Sequence, residues 1–171
     1  MPSVSSAANL HIANHLRLAD RDLKDAIVLH GCRSRNDAYH LEQAAEKLLL
    51  ALLTSEGEHV QIKDVHILDR LADRLPEDHP LRSAMQGLGY LKTYATAFRY
   101  PKTGGRLPAA IPDDKFDFAS VVLRRLIDAS ARHFQVDLEA GDDVPSGNTN
   151  PMRRKAEPRS SSPLKTSPLK T

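Results

Sequence analysis

His40, Gln43 and Lys47 are spaced i, i+3, i+7 in Tyr39-His40-Leu41-Glu42-Gln43-Ala44-Ala45-Glu46-Lys47-Leu48-Leu49-Leu50. In a helix they form one stripe, bordering an apolar face of Leu41, Ala44, Ala45, Leu48 and Leu52. An imidazole, an amide and an ammonium at the rim of a helix–helix seam can hold an anion. The same residues also have a plain structural reading, in which Lys47 snorkels from an apolar seam and His40 is a hydrogen-bonded core histidine. A second pair, His11 and His15, has the i, i+4 spacing that can grip a metal. No carboxylate follows to complete a glutamate-assisted zinc helix, and both residues flank an apolar stripe, so they read as boundary histidines and no metal is expected.

Other catalytic signatures are missing. The chain has no Gly-x-x-x-x-Gly-Lys-Ser/Thr loop, no Gly-x-Gly-x-x-Gly and no Gly-x-Ser-x-Gly elbow, and no Cys–His pair is set for nucleophilic work. No cofactor is expected. Net charge is +2 over 171 residues, but the excess lies at the end. After residue 140 the segment is +3, which leaves a body of −1. A near-neutral body argues against a broad nucleic-acid-binding face. A single cysteine, Cys32, excludes a disulfide framework and fits a reducing, cytoplasmic setting. No signal peptide is evident, and the longest apolar run, Leu48–Leu53, cannot span a bilayer.

The elements that must position the stripe are all helical. Ile12, Leu16, Ala19, Leu23 and Ala26 or Ile27 predict a first helix from Ser5 or Ser6 to about His30, with Gly31 as its stop. The second runs from Asn36 to about Glu56. A short third covers about Val65–Leu75, and a fourth runs from Pro80 to about Phe98, weakened at Gly87 and Gly89. The last spans Pro112 to about Gln135, with Phe118, Val121, Val122, Leu126 and Ala129 as core positions. Leu41, Leu48, Leu52, Leu68 and Leu88 are expected in the core with Val122 and Leu126. The fold class is therefore all-α, an antiparallel up-and-down bundle of four long helices plus one short helix over residues 5–138. Residues 139–171, rich in Pro, Ser and basic residues and closing on two copies of Ser-Pro-Leu-Lys-Thr, are expected to form a disordered tail.

Three blocks resemble the HEPN family of small helical bundles, in the type found at the C-terminus of sacsin and beside prokaryotic nucleotidyltransferases. They are His40…Gln43…Glu46-Lys47, then His66-Ile67-Leu68, then Arg99-Tyr100-Pro101. The resemblance covers roughly residues 10–136. It implies a nucleotide-binding or interaction module. The ligand, ATP or GTP, would lie against His40, Gln43 and Lys47, with Arg99 and Tyr100 joining from the end of the fourth helix. It also implies a small nucleotidyltransferase partner; the alanine-rich helix faces suggest a homodimer, and no membrane is expected.

The same resemblance raises an alternative, a metal-independent endoribonuclease of the toxin–antitoxin kind. Catalytic members carry an Arg followed four to six residues later by a His, and Arg35-Asn36-Asp37-Ala38-Tyr39-His40 has that form. RNA cleavage needs a base for the 2′-OH, an acid for the leaving oxygen and a cation for the phosphorane, and His40 and Arg35 are the residue types for it. The family's motif usually opens the last helix, however, and here it opens the second. Arg74-Leu75-Pro76-Glu77-Asp78-His79 matches as well, in a proline turn. The non-catalytic module is the expectation.

Overall fold

The computed structural model describes residues 4–58, 60, 67–97 and 100–153. The expected start of the third helix at Val65, His66, Phe98, Arg99 and the Ser-Pro-Leu-Lys-Thr repeats lie outside the described residues. Among the described residues there is no strand, and no helix is long and apolar enough to cross a membrane.

Helix α1, Val4–Gly31, and helix α2, Asp37–Ser55, make the main pairing. Alanines allow their backbones to approach, and Ala13, Ala19, Ala26, Ala38, Ala44 and Ala45 are fully buried. The apolar spacing along α1 is as expected through Leu23, with Ile12, Leu16 and Leu23 also fully buried; of the next pair Ala26 is buried and Ile27 is 49 % exposed. α2 is covered on most of its circumference, burying even Glu42 and Glu46. α1 ends at Gly31 as expected, but Gly31 is not its left-handed cap. Its last turn closes by bonds from Ser34 N to Leu29 O (2.9 Å) and from Arg33 N to His30 O (2.9 Å), with Arg33 in the left-handed conformation at φ 57°.

Helix α3, Leu68–Asp73, helix α4, Arg82–Gly87, and a 3-10 helix over Gly89–Tyr94 form a smaller layer against α2. The expected fourth long helix, 80–98, is therefore two short pieces. Gly87 and Gly89 lower helix propensity at the break, and the tighter 3-10 turn aligns i and i+3. That alignment sends Leu88 and Leu91, both fully buried, to one line with the partly buried Tyr94.

Helix α5, Asp113–Phe134, returns along α1 and α2. Its buried face is Phe116, Ala119, Leu123, Leu126, Ile127, Ala131 and Phe134. Two expected core positions are corrected here, because Phe118 is 58 % and Val121 49 % exposed. Val122 is only partly buried. The true face runs one to two residues away from the expected one, and both registers carry apolar residues at helical spacing.

After Gln135, itself left-handed at φ 53°, residues 136–153 lie back over the bundle as a strap. Val136, Leu138 and Met152 pack on the core, and Asn148 N donates to Phe134 O at 3.1 Å. Arg153 forks onto Glu56 at 2.6 and 2.9 Å. The composition of this stretch predicts a tail beginning at 139. These apolar anchors and side-chain hydrogen bonds are what hold 139–153 in place, and 154–171 fall outside the described residues.

Candidate functional site

The stripe on α2 faces α1, and one α1 carboxylate meets it. His40 Nδ1 lies 2.9 Å from Asp22 Oδ1. Lys47 Nζ donates to Asp22 Oδ2 and, at 3.3 Å, to Gln43 Oε1. Gln43 Nε2 in turn donates to Glu42 Oε2 at 2.9 Å. Three of the five expected ligand residues are thus brought together, and each is already engaged within the protein. The side chains of Asp22, His40 and Lys47 are only 14 %, 26 % and 20 % exposed, so these contacts are shielded from water. Asp25 stands beside them: ligand atoms of Asp22, Asp25 and His40 all lie within 4.8 Å of one another, a set of types that can hold a metal. The ammonium of Lys47 takes part of the same Asp22 carboxylate and opposes a second cation there.

The other two expected residues are not placed with them. Tyr100 is 78 % exposed and takes no part in the hydrogen bonds of the stripe, and Arg99 is outside the described residues. Of the alternative catalytic pair, Arg35 Nη1 donates to the Pro108 carbonyl while His40 is turned to Asp22. In the second Arg-to-His match, Arg74 pairs with Glu58 at 2.7 Å. His79 is fully buried, and its Nδ1 accepts from Leu81 N at 3.2 Å. Burial pushes its pKa below the ordinary histidine value.

His15 lies near the stripe. Burial, then the neighbouring His11 and Lys47, lower its pKa to about 4, so the ring is neutral at physiological pH. His11 and His15 stack at 6.2 Å.

A second polar cluster closes the α1–α2 turn. His30 Nδ1 is 2.8 Å from Asp37 Oδ2 and its Nε2 is 3.7 Å from Asp113 Oδ1. The ring stacks flat on Phe116, with centroids 3.8 Å apart and an interplanar angle of 4°. Arg33 reaches the same Asp113 at 3.7 Å. Sequence reasoning missed Asp22, His30 and Asp37. The signal for Asp22 was present: it sits three residues after Ala19 and four before Ala26, on the buried face of its helix. His30 and Asp37 carried no comparable signal, since a helix-terminal His and a first-turn Asp are ordinary dipole partners.

A family model described as HEPN domain matches residues 12–121, from the third turn of α1 into α5. No curated protein and no solved structure matches the chain.

Proposed function

The chain belongs to the HEPN domain family, and we propose that it acts as a non-catalytic interaction module, homodimeric and paired with a separate enzyme. By resemblance to its subtype, that enzyme is a small nucleotidyltransferase, and the lone exposed Cys32 suits a cytoplasmic setting. The supporting observation is the engagement of the chemistry-bearing residues. Asp22 takes both His40 and Lys47, and the Pro108 carbonyl takes Arg35. A ribonuclease needs its imidazole free to move a proton and its cation aimed at phosphate. Here the Arg35 cation is spent on joining elements, and the His40 ring is turned to Asp22 on α1 and not toward Arg35.

A surface for association exists where α1 and α5 meet. Ile27 and Val121 line an open groove of about 290 Å³ rimmed by Ser120, Arg124 and Arg125. Val28 and Phe118, also exposed, add apolar area on the same two helices.

The test is a gel assay on single-stranded RNA with wild type, Arg35→Ala and His40→Ala. The expected result is no cleavage by any of them. Cleavage by wild type that both substitutions abolish would replace this reading with the endoribonuclease.

A second reading, nucleotide binding at the stripe, has one observation in its favour. A carboxylate sits where a phosphate would, so His40 and Lys47 already form a holder for an anion, with Gln43 Oε1 accepting from Lys47. In that reading the phosphate of ATP or GTP displaces Asp22, and Arg99 and Tyr100 close over the nucleotide.

A further inference from the structure

Asn14, Arg17, Arg21 and Lys24 recur at spacings of three and four along α1 and so line one stripe, distinct from the face that meets α2. The segment lying on it is Asp137-Leu138-Glu139-Ala140-Gly141-Asp142-Asp143-Val144-Pro145-Ser146, with four carboxylates and no basic residue. Lys24 Nζ is 2.6 Å from Glu139 Oε1, and Arg21 Nη2 is 3.4 Å from Asp142 Oδ1. The remaining contacts use main-chain carbonyls. Arg17 Nε donates to Asp137 O at 3.0 Å, its Nη1 to Val144 O at 2.8 Å, and Asn14 Nδ2 to Asp142 O at 2.9 Å.

This seam is incompletely satisfied. Arg17 is 1 % exposed, yet its acceptors are two carbonyls and Asn14 Oδ1, and among the described residues no carboxylate pairs with it. Its Nη2 is buried without an acceptor, as are Asn9 Oδ1 and Ser146 Oγ farther along the same seam without partners. A buried guanidinium held only by neutral acceptors carries uncompensated charge, and each unmet polar atom costs its desolvation. The two ion pairs that do form are exposed on both sides and add little. A segment that brought a carboxylate to Arg17 would supply what the strap lacks.

We infer that the Asn14–Arg17–Arg21–Lys24 stripe is a docking site for an acidic, extended segment of a partner protein, which the chain's own residues 137–146 occupy until it is exchanged. The inference rests on the interaction-module reading and names the chemistry of the partner. The stripe holds three peptide carbonyls besides two carboxylates, an arrangement that fits an extended polypeptide. Because the site is already filled, affinity for an incoming segment is reduced by the fraction of molecules with the strap open.

The test is fluorescence anisotropy with a labelled peptide copying residues 136–147, titrated into three full-length chains. They are wild type, Glu139→Lys/Asp142→Lys, which weakens the strap and leaves the stripe, and Arg21→Glu/Lys24→Glu, which reverses the stripe. Circular dichroism establishes that each is folded. Charge reversal adds repulsion to the loss of the pairs, so the strap variant is expected to bind the peptide about tenfold tighter than wild type, the stripe variant at least about tenfold more weakly than the strap variant, and added salt should weaken binding. A single-stranded RNA decamer should fail to displace the peptide. Absence of binding to the folded strap variant would overturn the inference, as would displacement by RNA as efficient as by unlabelled peptide. Hydrogen exchange on wild type needs no substitution: the Ser146 amide, bonded to Asn9 O, should exchange at least about a hundredfold faster than that of Leu16. Equal protection of the two would count against an exchangeable strap. A peptide that binds a chain found to cleave RNA keeps the stripe and removes the module reading. A chain without nuclease activity that ignores the peptide does the reverse.

Discussion

Lys47 on α2 closes on Asp22 on α1, and the same carboxylate takes His40, about two helical turns from Lys47. One acid thus ties down two of the residues that sequence spacing offers as ligands. The first prediction separates a lock from a ligand site. Asp22→Asn should lower stability by about 1–3 kcal/mol, because it weakens shielded, charge-assisted hydrogen bonds. Urea unfolding measures that loss. Calorimetry with ATP and GTP on the same variant decides the rest. If phosphate competes with Asp22, the variant binds either nucleotide more tightly than wild type, and Lys47→Ala abolishes the binding. No heat from the variant at millimolar ligand would leave the stripe as an interhelical lock.

Arg33 occupies the left-handed position that ends α1, where glycine is the ordinary residue. A side chain there crowds its own carbonyl, at a cost of about 1 kcal/mol. Its pairing with Asp113 at 3.7 Å is exposed and weak. Arg33→Gly should therefore raise stability by about 0.5–1 kcal/mol. A thermal melt showing a lower midpoint for the variant would mean that the Arg33–Asp113 contact outweighs the backbone strain.

Much of the fold was legible because helical period and alanine content speak for themselves. The α1 face of Ile12, Leu16, Ala19 and Leu23 and the α2 block through Leu48 are buried as their spacing implies. α5 was legible in extent but not in register, since Phe116 and Phe118 offer the same apolar chemistry two residues apart. The 80–98 stretch failed for a local reason: two glycines two apart make the backbone choose a tighter turn, and the choice is decided by packing of Leu88 and Leu91. At the site, the α2 stripe could be read, but its partner could not. Whether a Lys and a His are free depends on which residue of another helix faces them, and that is a tertiary fact. The strap shows the same limit, because a polar segment holds its place through a buried arginine on a helix 120 positions earlier.

Leu48 tests the core where α2 is most enclosed. It is fully buried in the cluster shared by the main helices. Leu48→Ala removes packed methyl groups and leaves a cavity, so the expected loss is about 2–5 kcal/mol in urea unfolding. A loss under 1 kcal/mol would mean that the helices close over the gap, contrary to a tightly packed seam.

The α1–α5 face should carry self-association. Val121 is 49 % exposed beside Ile27, in a groove with Arg124 and Arg125 on its rim. Burying such a face between two copies removes apolar area from water, whereas a carboxylate at its centre would be desolvated on association. Light scattering of the full chain is expected to give a dimer, and Val121→Glu a monomer with an unchanged helical spectrum. A wild-type monomer at high micromolar concentration would rule out the homodimer, and a Val121→Glu dimer would place it on another face.

Acid should weaken the fold before its carboxylates titrate. His15 takes a proton near 6.5 in the unfolded chain and only at about 4 in the folded one, because burial and the neighbouring His11 and Lys47 oppose its charge. Between those values the unfolded state binds more protons, so stability falls as pH drops from 6.5 toward 4 and this group contributes no further loss below. Buried His79, also lowered, acts in the same direction. Asp20 acts lower in pH. Burial raises its pKa, but hydrogen bonds from Arg124 and Lys24 outweigh that and hold it below the ordinary carboxylate value. Urea unfolding at pH 7.5 and pH 5 keeps carboxylate titration small, and the expected loss from His15 over that interval is on the order of 2 kcal/mol. His15→Gln removes the titrating ring and should recover most of that difference. A variant with the same pH dependence as wild type would mean that the folded His15 ring is protonated as easily as the unfolded one.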